Sequence, residues 1–225
     1  MYREQIKDVV IEAMLKQENK KMNKRLTTAL VAFVVVFVLA QLFNYYIIRL
    51  YQVHSNEMQL SVLDGDYVLV NQVVYRNQPS MLDSFYDLFG TKQEIRNGDI
   101  VLVAFNDKTD RKFTKLKLLR VIGVPGDQIK IDNKKVFRNS EALLETYVSH
   151  SAAEEFLPLR DEMEEVIVPE KQYFLLADNR DIGQDSRVFG FVPRENIIGK
   201  ASSVLFSYDN GYGSFRNKRT FFELK

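Results

Sequence analysis

The chain of 225 residues carries 31 basic against 30 acidic side chains, a formal net charge of +1, and 46% hydrophobic residues. That apolar share is ample for a buried core and excludes a disordered chain, while the charge balance gives no global electrostatic reason to expect nucleic acid. With no cysteine and two histidines, His54 and His150, the chain has no disulfide or thiolate site and little material for zinc, so neither a metal nor a cofactor is expected.

Taken in order, residues 1–25 read as a charged amphipathic helix, with Ile6, Val9, Val10, Ala13 and Met14 at helical spacing, and are expected to form a cytoplasmic tail. Residues 26–48, LTTALVAFVVVFVLAQLFNYYII, carry no Lys, Arg, Asp or Glu and predict a transmembrane helix. At about 1.5 Å per residue the segment reaches roughly 34 Å, enough to cross a hydrocarbon core of about 30 Å. Lys16, Lys20, Lys21, Lys24 and Arg25 precede it, whereas Arg49 stands nearly alone behind it, which predicts a cytoplasmic N-terminus and an extracytoplasmic domain over residues 49–225. Tyr45, Tyr46 and Tyr51 fall where an interfacial aromatic belt is expected. The run is too long for the apolar region of a signal peptide and no small-residue cleavage site follows, so an uncleaved single-pass membrane anchor is expected.

After residue 50 the pattern turns to β. Short runs rich in Val, Ile, Tyr and Phe, at 67–75, 99–105, 115–124, 128–132, 135–139 and 172–177, are punctuated by Gly, Asp and Asn. Without a βαβ rhythm they predict a mostly β, antiparallel body. Two stretches differ. Residues 80–89 place Met81, Leu82, Phe85, Tyr86 and Phe89 on one helical face, and the acidic stretch 152–170 reads as a surface loop or short helix.

Four blocks occur in an order that resembles the type I signal peptidase family, peptidase S26. They are Met58 through Asp66 with its Leu63-Asp64-Gly65-Asp66 end, Asn97-Gly98-Asp99-Ile100-Val101, Arg120-Val121-Ile122-Gly123-Val124-Pro125-Gly126-Asp127, and the run from Ala177 to Pro193 with Asp178, Asn179, Arg180, Asp181, Asp185, Ser186 and Arg187. The last is similar to the family's Gly-Asp-Asn-Arg-Asp-x-Ser-x-Asp-Ser-Arg run. The resemblance covers roughly residues 50–205 and implies a signal-peptidase-like antiparallel β body outside the membrane. It also implies a site in which a serine nucleophile gives its proton to a lysine that apolar burial keeps neutral.

Counted along those blocks, three positions depart from the family. Glu57, before Met58, stands where the resemblance places the serine; Leu119, before Arg120, where it places the lysine; and Gly183 where many relatives have a supporting serine. Loss of the nucleophile alone typically costs on the order of a million-fold in rate, so the expectation is a pseudoenzyme with no catalytic residue. The resemblance extends to the non-catalytic signal-peptidase-like proteins of Gram-positive pilus-assembly loci, and implies an accessory or chaperone-like role with a pilin or a sortase as partner. The alternative is an active serine endopeptidase with relocated residues Ser55 and Lys117, each two positions before the residue it replaces and so on the same face of an extended chain. Asp178, Arg180, Asp185 and Arg187 are suited to bidentate ion pairs that knit loops beneath the site.

Overall fold

The computed structural model describes residues 20–40, 47–75, 93–106, 114–152 and 154–224. The predicted helical positions Ile6–Met14 and the Met81–Phe89 stripe lie outside them. The chain divides into two units, Met1–Tyr45 and Tyr46–Lys225. In the first, Lys20–Ala40 forms one continuous helix of 21 residues, long and apolar enough to cross a membrane. Its apolar side chains, Phe33, Val36 and Leu39 among them, are exposed, as suits a segment whose solvent is lipid. The predicted span reached Ile48, but Ile48 opens a strand and pairs with Asn71. Its β-branched and aromatic neighbours favour that strand once a partner edge is present.

The second unit is β throughout its core. In chain order the strands are β1 (Ile48–Gln52), β2 (Asp66–Asn71), β3 (Ile100–Asn106), β4 (Thr114–Gly123), β5 (Gln128–Asp132), β6 (Lys135–Arg138), β7 (Glu141–Ala142), β8 (Met163–Ile167), β9 (Gln172–Leu176), β10 (Val192–Pro193), β11 (Ile197–Asp209), β12 (Ser214–Phe215) and β13 (Phe222–Glu223). The larger sheet runs β1-β2-β11-β3-β4-β9-β10, with β12 and β13 also pairing β11. A smaller sheet runs β7-β6-β5-β8. Every ladder between these strands is antiparallel.

β3 shows why the larger sheet holds. Its apolar run is buried on both faces: Val101 and Val103 join Leu119, Val121, Leu175 and Ile197 in one cluster, and Ile100 and Leu102 join Met58, Val62, Val68 and Val204 in another. The smaller sheet closes its own core around Ile129, Ile131 and Val136, shared with Ile122, Phe174 and Leu176 of the larger one. Across 152–170 the expected short helix is present at Pro158–Asp161, and β8 adds a strand that the acidic pattern did not predict. Val166 lies opposite Ile129 and Met163 opposite Ile131, so two inward apolar residues suffice to recruit a segment whose glutamates face water.

Candidate functional site

The loop between β1 and β2 carries Ser55, Glu57 and Met58. It is closed at its base by Val53 N–H donating to the Asp66 carbonyl at 2.9 Å and Gly65 N–H donating to the Val53 carbonyl at 3.0 Å. Gly65 has φ +84°, and a Cβ there would lie 2.0 Å from the Tyr208 carbonyl oxygen. The Leu63-Asp64-Gly65-Asp66 block thus needs its glycine so that β11 can approach. Met58 and Val62 are buried and plug the loop into the core, whereas Ser55 is exposed.

β4 delivers the facing side chains. In its regular ladder with β3, Lys117 lies opposite Val103 and Leu119 opposite Val101. Strand alternation therefore sends both to one face, and Leu118 and Arg120 to the other. Leu119 is fully buried in the cluster with Val101 and Val121. The residue that meets Glu57 is Lys117. Its Nζ donates to Glu57 Oε1 at 2.6 Å and to the Gln184 carbonyl at 3.4 Å. Gln184 N–H also reaches Glu57 Oε1 at 3.5 Å, and the Glu57 carbonyl accepts from Asn179 N–H at 2.8 Å. The first and last family blocks thus meet at residue 57. Tyr51, expected in an interfacial belt, instead packs against the core beside this loop and donates to the Leu116 carbonyl at 3.0 Å. Burial, then the charge of Glu57, pushes its phenol up from the ordinary range.

On the other face of β4, Arg120 is held from all sides. Nε and NH2 donate to the two oxygens of Asp178, each at 2.8 Å, NH1 donates to the Gly98 carbonyl at 2.9 Å, and NH2 reaches Ser61 Oγ at 2.9 Å. Ser61 Oγ donates in turn to Asp178 Oδ2 at 2.5 Å, and the Tyr147 ring lies 3.8 Å from the guanidinium carbon. A cavity of about 710 Å³ opens on this face, lined by Leu60, Ser61, Gly98, Arg120, Tyr147 and Phe222 among others.

Four polar residues of the last block suit bidentate pairing, but only two of them pair with each other. Arg187 Nε and NH2 grip Asp185 at 2.9 and 2.7 Å, and Asp185 also accepts from Ala177 N–H at 3.1 Å and caps the single-turn helix Ser186–Phe189. Asp178 pairs with Arg120, and Arg180 with Glu145 at 2.5 Å. Glu145 and Tyr147 escaped the sequence reading because partners distant in sequence leave no local spacing to detect. Asp66, read as a motif residue, accepts from Leu63 N–H at 2.9 Å and from Arg219. Gly183 is set by contact rather than by chemistry: a Cβ there would lie 2.3 Å from Ala177 Cβ and 3.0 Å from the Asn179 carbonyl oxygen. Ala177 itself stands where the resembling run has glycine, so the two positions exchange bulk. Among the described residues no group of His, Cys, Asp and Glu is placed to hold a metal ion.

Residues 26–206 match the family described as signal peptidase, peptidase S26. A signal peptidase I of Rickettsia conorii is 30% identical, with 78% of this chain and 79% of the relative covered. A Synechocystis protein named "Probable signal peptidase I-2" is 27% identical over 73% of this chain and 66% of its own length. A crystal structure of a signal peptidase I from Enterococcus faecalis V583 is 25% identical, covering 49% of this chain and 98% of that one, at a TM-score of 0.39. The Rickettsia and Synechocystis relatives are named for an enzyme, and with the family match they overturn the expectation of a pseudoenzyme. That expectation rested on Glu57, Leu119 and Gly183 at the positions where the resemblance places the serine, the lysine and the supporting serine, with Ser55 and Lys117 as the alternative pair. Two residues earlier on the same face, the longer Lys117 side chain reaches the site loop, while Leu119 completes the core. By the extent of the match and the identity of these relatives, the chain belongs to the signal peptidase I family, peptidase S26.

Proposed function

We propose that this chain is a membrane-bound serine endopeptidase of the signal peptidase type, acting on exported polypeptides, with Lys117 as its amine and Ser55 as its hydroxyl. The observation that carries the reading is the placement of Lys117 Nζ 2.6 Å from Glu57, in the loop where the resemblance puts the nucleophile. Paired in this way the amine is a donor, so hydrolysis requires an incoming peptide to part it from Glu57. Freed and deprotonated, Lys117 takes the Ser55 proton as Oγ attacks the scissile carbonyl carbon. The proton passes to the departing amine as the peptide bond breaks and an acyl ester forms. Water, deprotonated by the same lysine, then releases the acid and restores Ser55.

The test uses the full chain in proteoliposomes with a preprotein substrate, cleavage being read by gel and by the mass of the product. Cleavage that falls by on the order of a thousand-fold or more in both Ser55→Ala and Lys117→Met supports the assignment. An inert unmodified protein, or cleavage indifferent to Ser55→Ala, removes it. The N-terminus is proposed to be cytoplasmic and the β body outside, from the basic cluster before the helix; protease protection in intact cells checks this. A pilin, with a sortase beside it, is proposed as the exported partner on the resemblance alone. Crosslinking from intact cells, read for pilins against ordinary preproteins, separates the two.

A further inference from the structure

The family match ends at residue 206, yet the loop that carries Glu57 is gripped by two arginines from beyond it. Arg219 Nε donates to both oxygens of Asp66 at 3.1 Å, and its NH2 donates to Asp66 Oδ2 at 2.6 Å and to the Ser61 carbonyl at 2.9 Å. Arg216 NH1 donates to the Asp64 carbonyl at 2.8 Å and to Ser207 Oγ at 3.0 Å, while its Nε and NH2 hold Asp209 at 3.1 and 2.7 Å. The segment bearing them is itself tied to β11, through Ser203 opposite Glu223 and Leu224 N–H donating to the Ser202 carbonyl at 3.0 Å.

Asp66 is fully buried, so its carboxylate has no solvent to fall back on, and Arg219 supplies the compensating charge. The three residues gripped, Ser61, Asp64 and Asp66, are the C-terminal half of the site loop. Its N-terminal half hangs on the same turn, because the Met58 carbonyl accepts from Ser61 N–H at 3.1 Å and Val62 N–H at 2.8 Å. Ser61 is a junction: its carbonyl faces Arg219 and its hydroxyl faces Arg120 and Asp178. We propose that residues 216–224 form a positioning clamp in which Arg219, with Arg216, fixes the 57–66 turn and thereby sets the Glu57 carboxylate against Lys117. The clamp acts on the loop whichever hydroxyl or substrate the site uses.

The experiment reads loop and amine without an activity assay. The full chain in detergent is compared with Arg219→Gln, Arg216→Gln and, since a stranded Asp66 could prevent folding, the double variant Arg219→Leu with Asp66→Asn. Hydrogen exchange over residues 54–63 and the resonance of ¹³C-methylated Lys117, assigned with Lys117→Arg, are recorded. The clamp predicts exchange faster by about tenfold or more in that segment, with the Lys117 resonance moving toward its position in Glu57→Gln. Residues 128–138 should not change, and Lys130→Ala, which removes an exposed partner of Asp132, should move neither readout. Arg219→Lys should not restore them, because a single ammonium cannot span Asp66 and the Ser61 carbonyl. Unchanged exchange and resonance in the folded double variant would overturn the proposal, as would acceleration spread evenly over both sheets.

Discussion

Two ion pairs flank β4, one on each face, and they are built to different ends. Arg120 and Asp178 have side chains 2% and 0% exposed, with both carboxylate oxygens engaged and the guanidinium shared among Asp178, Ser61 and a backbone carbonyl. Lys117 and Glu57 keep 19% and 14% exposure and share one short hydrogen bond on flexible stems. A buried pair with every group satisfied fixes geometry and is costly to break. A pair at the water boundary can open for a substrate at small cost. The contrast places Arg120 and Asp178 in the frame and leaves Glu57 and Lys117 as the pair that the proposed mechanism needs to open.

The largest test of that contrast removes half of the buried pair. Arg120→Met leaves Asp178, among the described residues, with the Ser61 hydroxyl alone, and is expected to destabilise the β body by about 3–5 kcal/mol. A lower denaturation midpoint at unchanged slope would report it. A loss under about 1 kcal/mol, the range of exposed pairs, would place this pair with the surface ones.

Next comes the bulk exchange beneath the site. Gly183→Ser has to find room 2.3 Å from Ala177 Cβ, and overpacking of this kind costs about 1–3 kcal/mol. Ala177→Gly alone leaves a small void, but combined with Gly183→Ser it restores the resembling order of glycine and serine. The double variant is therefore expected to be more stable than Gly183→Ser alone, with a coupling of about 1 kcal/mol or more between adjacent sites. Additive losses would show that the two positions are independent.

These two regions also show what the sequence made legible. The strands at 128–132 and 135–138 were readable because alternation and turn residues are local signals, and Lys135 indeed lies opposite Asp132. β11, the longest strand and the hub of the larger sheet, was not named. Its run IIGKASSVLFSYD mixes glycine, serine and lysine, and only its partners on both sides make it a strand. The four blocks fall on segments that meet around Glu57 and Arg120. Counting along a block cannot tell that Leu119 is sealed among Val101 and Val121 while Lys117, on the same face, reaches the boundary. Arg216 and Arg219 fall outside the four blocks, and their partners sit about 150 residues earlier, where no local spacing reveals them.

Acid sharpens the contrast from a third place. Hydrogen bonds from Arg160 hold the Asp161 carboxyl below its ordinary range, even against its burial. Asp181 is also low: burial raises it, but the Ala152 N–H, His150 and Arg160 outweigh that. A carboxylate depressed by folding contributes stability that is present above its unfolded value of about 4 and lost as pH falls through the folded one. Stability should therefore drop as pH falls below about 4. Asp161→Asn should flatten the acid limb by that residue's share, measured as denaturation midpoints from neutral pH downward. An identical acid limb in Asp161→Asn would show that Asp161 contributes nothing to it.

The smallest expected effect on stability is the most telling for function. Glu57→Gln keeps the shape of the side chain but removes the charge partner of Lys117, and because both side chains keep a path to water the loss is expected nearer the roughly 1 kcal/mol of an exposed pair than the roughly 3–5 kcal/mol of a buried one. The fold should therefore hardly change, since the Glu57 carbonyl still accepts from Asn179 N–H and Met58 still plugs the core. If opening the pair is what admits a peptide, Glu57→Gln lowers that barrier beforehand, and cleavage of a preprotein should rise or its KM fall while the denaturation midpoint stays put. A midpoint shift of several kcal/mol would move the Glu57–Lys117 pair into the frame beside Arg120 and Asp178. Cleavage abolished in a folded Glu57→Gln protein would instead make the carboxylate itself part of the chemistry, and would displace Ser55 from the role proposed for it.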